Sequence, residues 1–181
     1  MANQNVELSQ DNLENLIKYY EKIEKTLKSE NFKRYIEEKC YDVLNKITRQ
    51  SLNADENEEY EHIYRNSHNA KATENEVTIS NVTIVPVTNS ENYPNGFDLS
   101  KAVEYGTGIV GLSSDGSMLA VQDDWEYDIN NHGESGWYYF DKGGVRHWTK
   151  GMKGSLIYEK ARLEIEDNIN DWITEYIDKI D

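Results

Sequence analysis

The chain has 181 residues, 37% of them hydrophobic and 29% charged, which is typical of a single soluble domain that can bury its own core. Its formal net charge of −15 argues against a protein that binds DNA through its phosphates, because such binding depends on Lys and Arg. The simpler interpretation of the charge is solubility. The sequence shows no run of about 18 apolar residues and no basic, apolar leader, so we expect a cytosolic protein without a membrane segment.

Two amphipathic helices are predicted in the N-terminal third, unless they form one kinked helix across the break "KSEN" at 28–31. Ser9 or Asp11 can cap the first helix. Apolar residues recur at helical spacing in both segments, namely Leu13, Leu16, Ile17, Tyr20, Ile23 and Leu27, then Phe32, Tyr35, Ile36, Cys40, Val43, Leu44 and Ile47. The single cysteine, Cys40, lies on this stripe, and we expect a buried small hydrophobic residue rather than a nucleophile.

The middle of the chain is predicted to be rich in strands and turns. The acidic stretch 53–62 reads as a loop or as the solvated start of an element. Residues 77–87, "VTISNVTIVPV", are β-branched and alternate in places, and Pro86 suits an edge strand or the end of one. Residues 88–96 then carry the composition of a turn.

The stretch "AVEYGTGIVG" at 102–111 raises the question of a phosphate-binding loop. A short helix is predicted just before it, capped by Asp98 or Ser100. In a phosphate loop the glycines follow a strand and precede a helix, and the order here is the reverse. We therefore interpret Gly106 and Gly108 together as a helix C-cap followed by a turn into an extended segment.

An aromatic hairpin and a last helix complete the chain. The runs "GWYYF" and "VRHW" flank the turn "DKGG", which predicts a β-hairpin. Strand alternation sends Trp137 and Tyr139 to one face and Tyr138 and Phe140 to the other, so that one pair packs against the C-terminal helix and the other is available for a subunit contact. The basic linker "WTKGMKGS" then leads into an amphipathic helix over 156–181.

These elements predict an α+β fold in which an N-terminal helix or helix pair and a long C-terminal helix pack on a small antiparallel sheet. The expected organisation is a single domain over 1–181, helical over 9–50, strand-rich over 60–150 with a flexible loop over 112–135, and helical over 155–180.

Nothing in the sequence indicates catalysis or a bound metal. The four histidines, His62, His68, His132 and His147, lack the helical spacing or Cys pairing of zinc sites. The acidic stretch "DDWEYD" at 123–128 lacks the ligand pattern of an EF-hand. No nucleophile elbow is present. We therefore predict no catalytic residues, no metal and no cofactor.

Two short motifs resemble a known family. The first runs through Ala102, Val103, Glu104, Tyr105, Gly106, Thr107 and Gly108, and the second through Trp148, Thr149, Lys150, Gly151, Met152 and Lys153. Their order, with a variable loop between them and a helix after the second, is similar to that in the head-tail joining or tail-completion proteins of long-tailed phages. Many of those relatives have a proline after the Gly-Met element, where this chain has Gly154 and Ser155.

The resemblance implies a virion structural protein, assembled in the bacterial cytoplasm, that forms a hexameric or dodecameric ring at the neck or head-proximal tail end. Its expected partners are further copies of itself, a portal-side adaptor and tail tube or sheath proteins, while DNA passes through without specific binding and no membrane is involved. The predicted subunit or partner interface consists of Tyr105, Gly106, Thr107, Trp148, Thr149, Lys150, Met152 and Lys153.

Two other classes of function stay open at this point. One is a soluble acidic binding or immunity-type protein that neutralises a basic partner, which would form a one-to-one complex and no ring. The other is an unrecognised hydrolase, which predicts a deep pocket with clustered carboxylates or histidines of perturbed pKa.

Overall fold

A computed structural model of the chain describes residues 10–52, 64–85, 97–113, 125, 135–140 and 145–179, without the side chains of Val85, Phe97, Tyr139 and Phe140. The helices are α1 (Gln10–Leu27), α2 (Glu30–Leu52), α3 (Leu99–Tyr105), α4 (Gly108–Leu112) and α5 (Ile157–Asp178). The strands are β1 (His68–Ala72), β2 (Val77–Asn81), β3 (Ile84–Val85), β4 (Phe97–Asp98), β5 (Gly106–Thr107), β6 (Trp137–Phe140), β7 (Arg146–Thr149) and β8 (Gly151–Lys153). In these ranges no helix is long and apolar enough to cross a membrane.

The core lies between α2, α5 and the β1–β2 hairpin. Five residues of the predicted apolar stripe in α2 are buried and pack against α5 residues such as Ile157, Ala161 and Ile165, while Phe32 and Tyr35 of the stripe are partly buried. Ion pairs join Lys39 to Glu175 at 3.2 Å and Lys46 to Glu164 at 2.7 Å, so α2 and α5 run antiparallel. The two long helices therefore form the frame to which the smaller elements attach.

The β1–β2 hairpin closes one side of this core. Its strands pair antiparallel from His68 opposite Asn81 to Ala72 opposite Val77. Residues of β1 alternate between buried and exposed, as expected for a strand with one face on the core. The other described strands form three further two-stranded antiparallel ladders, β3–β4, β5–β8 and β6–β7.

A buried histidine links three elements of the core. His68 is 7% exposed, and its Nε2 lies 2.8 Å from the hydroxyl of Thr48 on α2. Its Nδ1 lies 2.7 Å from the hydroxyl of Tyr158 on α5. Burial, and secondarily the charge of Arg65, lowers the pKa of His68 to about 4, so the ring is neutral at neutral pH.

Helix α1 stands apart from this core. It has no buried residue, and residues 10 to 22 are all exposed. Only its last turns, with Ile23 and Leu27, become half-buried. A two-residue turn at Lys28 and Ser29 separates it from α2, and the Ser29 hydroxyl accepts a hydrogen bond from the Phe32 N–H at 3.2 Å, which caps α2.

Most predictions about local structure are confirmed. The chain is α+β, with N-terminal helices, a long C-terminal helix and antiparallel strand pairs, and the break at 28–31 separates two helices. Cys40 is fully buried and burial raises the pKa of its thiol to about 11. The predicted strand 77–87 is interrupted, since β2 ends at Asn81 and β3 begins at Ile84. The acidic stretch 53–62 and most of the predicted loop 112–135 lie outside the described residues.

The neutral state of His68 leads to a prediction about pH. The unfolded histidine has a pKa of about 6.5 and the folded one about 4, so between these values the unfolded chain binds more protons. Acidification through this window therefore lowers the free energy of unfolding, by at most about 1.4 kcal/mol per pH unit for one proton. Urea unfolding of the wild type and of His68→Asn, measured at several pH values, checks this. The free energy of unfolding should change less steeply with pH in the variant than in the wild type. Equal slopes would contradict the prediction.

Candidate interaction site at the glycine motifs

The two motifs meet in space. Strand β5 pairs antiparallel with β8, which places Gly106 opposite Lys153 and Thr107 opposite Met152, 45 positions away along the chain. An isolated bridge between Gly108 and Gly151 extends the pairing by one step. The motifs are therefore two halves of one structural unit, which we call the motif junction (residues 104–108 and 149–156).

Glycine is required where the two backbones cross. Gly106 has φ of +87° and ends α3, with its N–H directed to the carbonyl of Ala102. Gly151 has φ of +107°, and a Cβ built there overlaps the backbone carbonyl of Thr107. A side chain at either position would thus be strained and would push the strands apart. Gly106 is the predicted C-cap, and the chain is extended over Gly106 and Thr107 only. The prediction is wrong at Gly108, because a second short helix, α4, begins at this residue directly after strand β5.

Two threonines complete the hydrogen bonds of the junction. The Thr107 hydroxyl accepts from the Met152 N–H at 3.2 Å, across the ladder. The Thr149 hydroxyl accepts from the Gly151 N–H at 3.0 Å and donates to the Gly151 carbonyl at 3.1 Å. The indole N–H of Trp125 donates to the Gly106 carbonyl at 2.9 Å. These bonds give partners to backbone groups that the short ladder leaves unpaired.

Glu104 joins the junction to the start of α5. Its carboxylate is 6% exposed and accepts hydrogen bonds from the backbone N–H groups of Tyr158, at 3.0 and 3.1 Å, and Glu159, at 3.2 Å. It therefore caps the N-terminus of a helix distant in sequence. Burial raises the pKa of Glu104, and the backbone donors at the start of α5 oppose that shift.

The entry into α5 explains the absence of proline after the Gly-Met element. Gly154 lies against the peptide between Glu104 and Tyr105, with no room for a Cβ. The Ser155 N–H donates to the Val103 carbonyl at 2.8 Å, and a proline at this position could not make that bond. Leu156 then adopts a left-handed conformation, with φ of +50°, before the helix begins.

An exposed aromatic surface lies on the neighbouring hairpin. Tyr138 on β6 and Trp148 on β7 are directly opposite each other, with ring centroids 4.7 Å apart. The Arg146 guanidinium lies 3.6 Å from the centroid of the Tyr138 ring. Both rings are about half exposed. We call Tyr138, Arg146 and Trp148 the aromatic platform.

The predicted interface residues divide into two groups. Tyr105, Gly106 and Thr107 are buried, so they act by holding the junction together. The exposed residues are Trp148, Lys150, Met152 and Lys153, while Thr149 is half-buried. Sequence reasoning gave Glu104 no role, although it lies within the first motif, and it did not select Arg146. An interface role for this surface stays a prediction.

Polar groups close to the junction are occupied by internal hydrogen bonds. A pocket of about 300 Å³ beside α3 is lined by Asn81, Asp98, Glu104 and Tyr158, among others. Asn81 donates to the Tyr64 carbonyl at 2.8 Å, and Asp98 accepts from the Lys101 N–H at 3.1 Å as the predicted cap of α3. Among the described residues, no group of three or more His, Cys, Asp and Glu side chains could hold a metal ion.

Replacing Gly151 tests whether the close crossing of the two backbones requires glycine at this position. We expect Gly151→Ala to lower the free energy of unfolding by at least about 1–3 kcal/mol, because a left-handed conformation and an overlap with Thr107 are combined. The exposed neighbour Lys150 provides the matched control. Lys150→Ala should change the free energy of unfolding by less than about 0.5 kcal/mol. Urea unfolding followed by circular dichroism measures both. Equal stability of the two variants would refute the crossing.

A second pair of variants tests the cap of α5. Glu104→Ala removes the acceptor of two backbone N–H groups and should cost about 1–3 kcal/mol of unfolding free energy. Glu104→Gln keeps one carbonyl oxygen in place and should cost less than Glu104→Ala. Thermal and urea unfolding give the order, and a larger loss in Glu104→Gln than in Glu104→Ala would show that the carboxylate does not act as a cap.

Comparisons with known proteins identified no relative of this chain. No protein-family model matches the chain, and no match was found among curated proteins or among solved structures. A functional proposal therefore depends on the motif junction, the exposed surfaces and the charge of the chain itself.

Proposed function

We propose that this chain is a structural subunit of a phage or phage-tail-like particle, where it forms a ring at the neck or at the head-proximal end of the tail. The observation that carries the proposal is the motif junction. The two motifs that resemble those of tail-completion proteins pair with each other through β5 and β8, although they lie far apart in sequence. A chance resemblance of two short motifs gives no reason for them to pair with each other.

The surface next to the junction supports an assembly role. Tyr, Trp and Arg are the residue types that most often dominate binding energy at interfaces, and the aromatic platform consists of these three. Lys150 and Lys153 add exposed positive charge beside it in a chain of net charge −15. A ring with head-to-tail contacts needs two different, complementary surfaces on every subunit.

The acidic surface that would complement the platform lies on α5. Asp167 and Asp171 are exposed on this helix, whereas the exposed Glu166 is paired with Arg162 at 2.6 Å. Charge complementarity between a locally basic loop and an acidic helix directs the register of association more than it adds affinity. The overall negative charge also suits the passage of DNA through a ring, because like charges keep the duplex from adhering to the wall.

Quantitative mass spectrometry of purified particles from the encoding phage or prophage tests the proposal. Counted against the portal subunit, the chain should be present in six or twelve copies, the numbers that the resemblance implies. In the same particles, Trp148→Ala should reduce incorporation by about tenfold or more, because an interface anchor is lost. Val82→Ala, which alters an exposed apolar residue outside both the platform and α5, is the matched control.

Two other results would contradict the proposed role. Absence of the chain from the particles would remove the virion role. A purified chain that stays monomeric and forms a one-to-one complex with a basic protein would establish the acidic binding or immunity-type function in its place.

A further inference from the structure

The outer side of α5 carries three aspartates that have no partner among the described residues. Asp167, Asp171 and Asp178 are exposed, and no ion pair or hydrogen bond joins any of them to the described chain. At about 100° per residue the three lie within about 40° of one another, on the side of the helix turned away from the buried Ile165. We call these three residues the aspartate row.

Other carboxylates of α5 are already paired within the chain. Glu164, Glu166 and Glu175 each form an ion pair with a Lys or Arg at 2.6 to 3.2 Å. Residues 163–178 include no Lys, Arg or His. The exposed sides of α1 and α2 differ, because they also carry cations such as Lys18 and Arg34. The aspartate row is therefore an acidic surface whose charge is available to a partner.

The hairpin beside the motif junction carries positive charge without a counter-ion in the described part of the chain. Arg146, Trp148 and Lys150 follow one another at every second position and are exposed, whereas the two residues between them are half-buried. Lys153 is exposed shortly afterwards. The Arg146 guanidinium lies over the Tyr138 ring, and a cation–π contact leaves its N–H donors for a carboxylate. We call Arg146, Lys150 and Lys153 the basic row.

We infer that the basic row of one copy lies along the aspartate row of the next copy, with β7 and α5 antiparallel. Contact of either row with itself would bring like charges together, so only a contact between the two different rows brings opposite charges together. A contact between two different surfaces is what a head-to-tail ring requires. The inference rests on the proposed function in that the ring supplies the next copy, and it names the surface of that copy that the basic row meets.

The spacing of the charges indicates the direction. From Arg146 the basic row continues after four residues and then after three, which is about 13 Å of extended chain and then less than about 10 Å, because the chain bends at Gly151. From Asp178 the aspartate row continues after seven residues and then after four, or about 10 Å and then about 6 Å of helix. In both rows the longer interval comes first, and the flexible stems of the basic side chains absorb the differences. The pairs are Arg146 with Asp178, Lys150 with Asp171 and Lys153 with Asp167.

Charge reversal on the purified full-length chain tests the pairing. Arg146→Glu with Lys150→Glu, and separately Asp171→Lys with Asp178→Lys, alter exposed side chains only. Each double variant should self-associate at least about tenfold more weakly than the wild type in analytical ultracentrifugation, because like charges then face each other. A quadruple variant with all four substitutions should recover self-association to within about threefold of the wild type, because both reversed pairs are again opposite in sign.

Matched controls on α2 carry the same changes of net charge. Arg34→Glu with Arg49→Glu reverses two exposed cations, and Glu38→Lys with Asp42→Lys reverses two exposed carboxylates. Both controls should self-associate within about threefold of the wild type, because screening weakens the effect of charges outside the contact. Circular dichroism of every variant shows whether the fold is retained.

Thiol cross-linking with a short bismaleimide tests the direction without charge reversal. Arg146→Cys on one copy should cross-link to Asp178→Cys on another. It should not cross-link to Asp167→Cys, which would be its partner if the two rows ran parallel. The native Cys40 is buried, with a raised pKa, and contributes little background.

The outcomes separate this inference from the proposed function. Recovery in the quadruple variant together with the cross-link between positions 146 and 178 supports the inference, whether or not the chain occurs in particles. A wild type that stays monomeric at about 1 mM, a quadruple variant as weak as the double variants, or cross-linking to Asp167→Cys alone would each overturn it. If Asp171→Lys with Asp178→Lys still enters particles in six or twelve copies, the ring role stands and the contact between the rows is wrong.

Discussion

The structure depends on one close crossing of two backbones. At Gly106 and Gly151 the chain passes itself so closely that neither position has room for a side chain, and both residues use a conformation that glycine adopts without strain. This crossing brings Glu104 to the first turn of α5, where its buried carboxylate accepts from backbone N–H groups. The end of α3 therefore determines where the last helix starts, and in turn how α5 lies along α2.

The hydrophobic core is formed by the packing of the long helices α2 and α5. Antiparallel packing of α2 on α5 buries the predicted apolar stripe, and the β1–β2 hairpin closes the core through His68, which bonds to groups on both helices. One polar group at this centre is left over, because the hydroxyl of the fully buried Tyr64 makes no hydrogen bond with the described residues.

Two exposed surfaces carry the contacts that we propose, namely the aromatic platform and the acidic side of α5, and helix α1 adds an apolar face that the described residues leave uncovered. They differ in chemistry, as head-to-tail contacts demand, and they lie on separate elements. The platform is held by the hairpin next to the motif junction, whereas α1 is joined to the body by a two-residue turn.

By itself the sequence determined the periodic elements and their ends. The apolar spacing of α2, the cap at Asp98, the C-cap at Gly106 and the aromatic hairpin follow from local rules of helix period, capping and strand alternation. Local rules carry no information about which distant segments meet, and only the tertiary structure decided that the two motifs pair and that Glu104 caps α5. The same limit applies to α1, because an amphipathic pattern predicts an apolar face but not whether that face is buried, and here it is exposed.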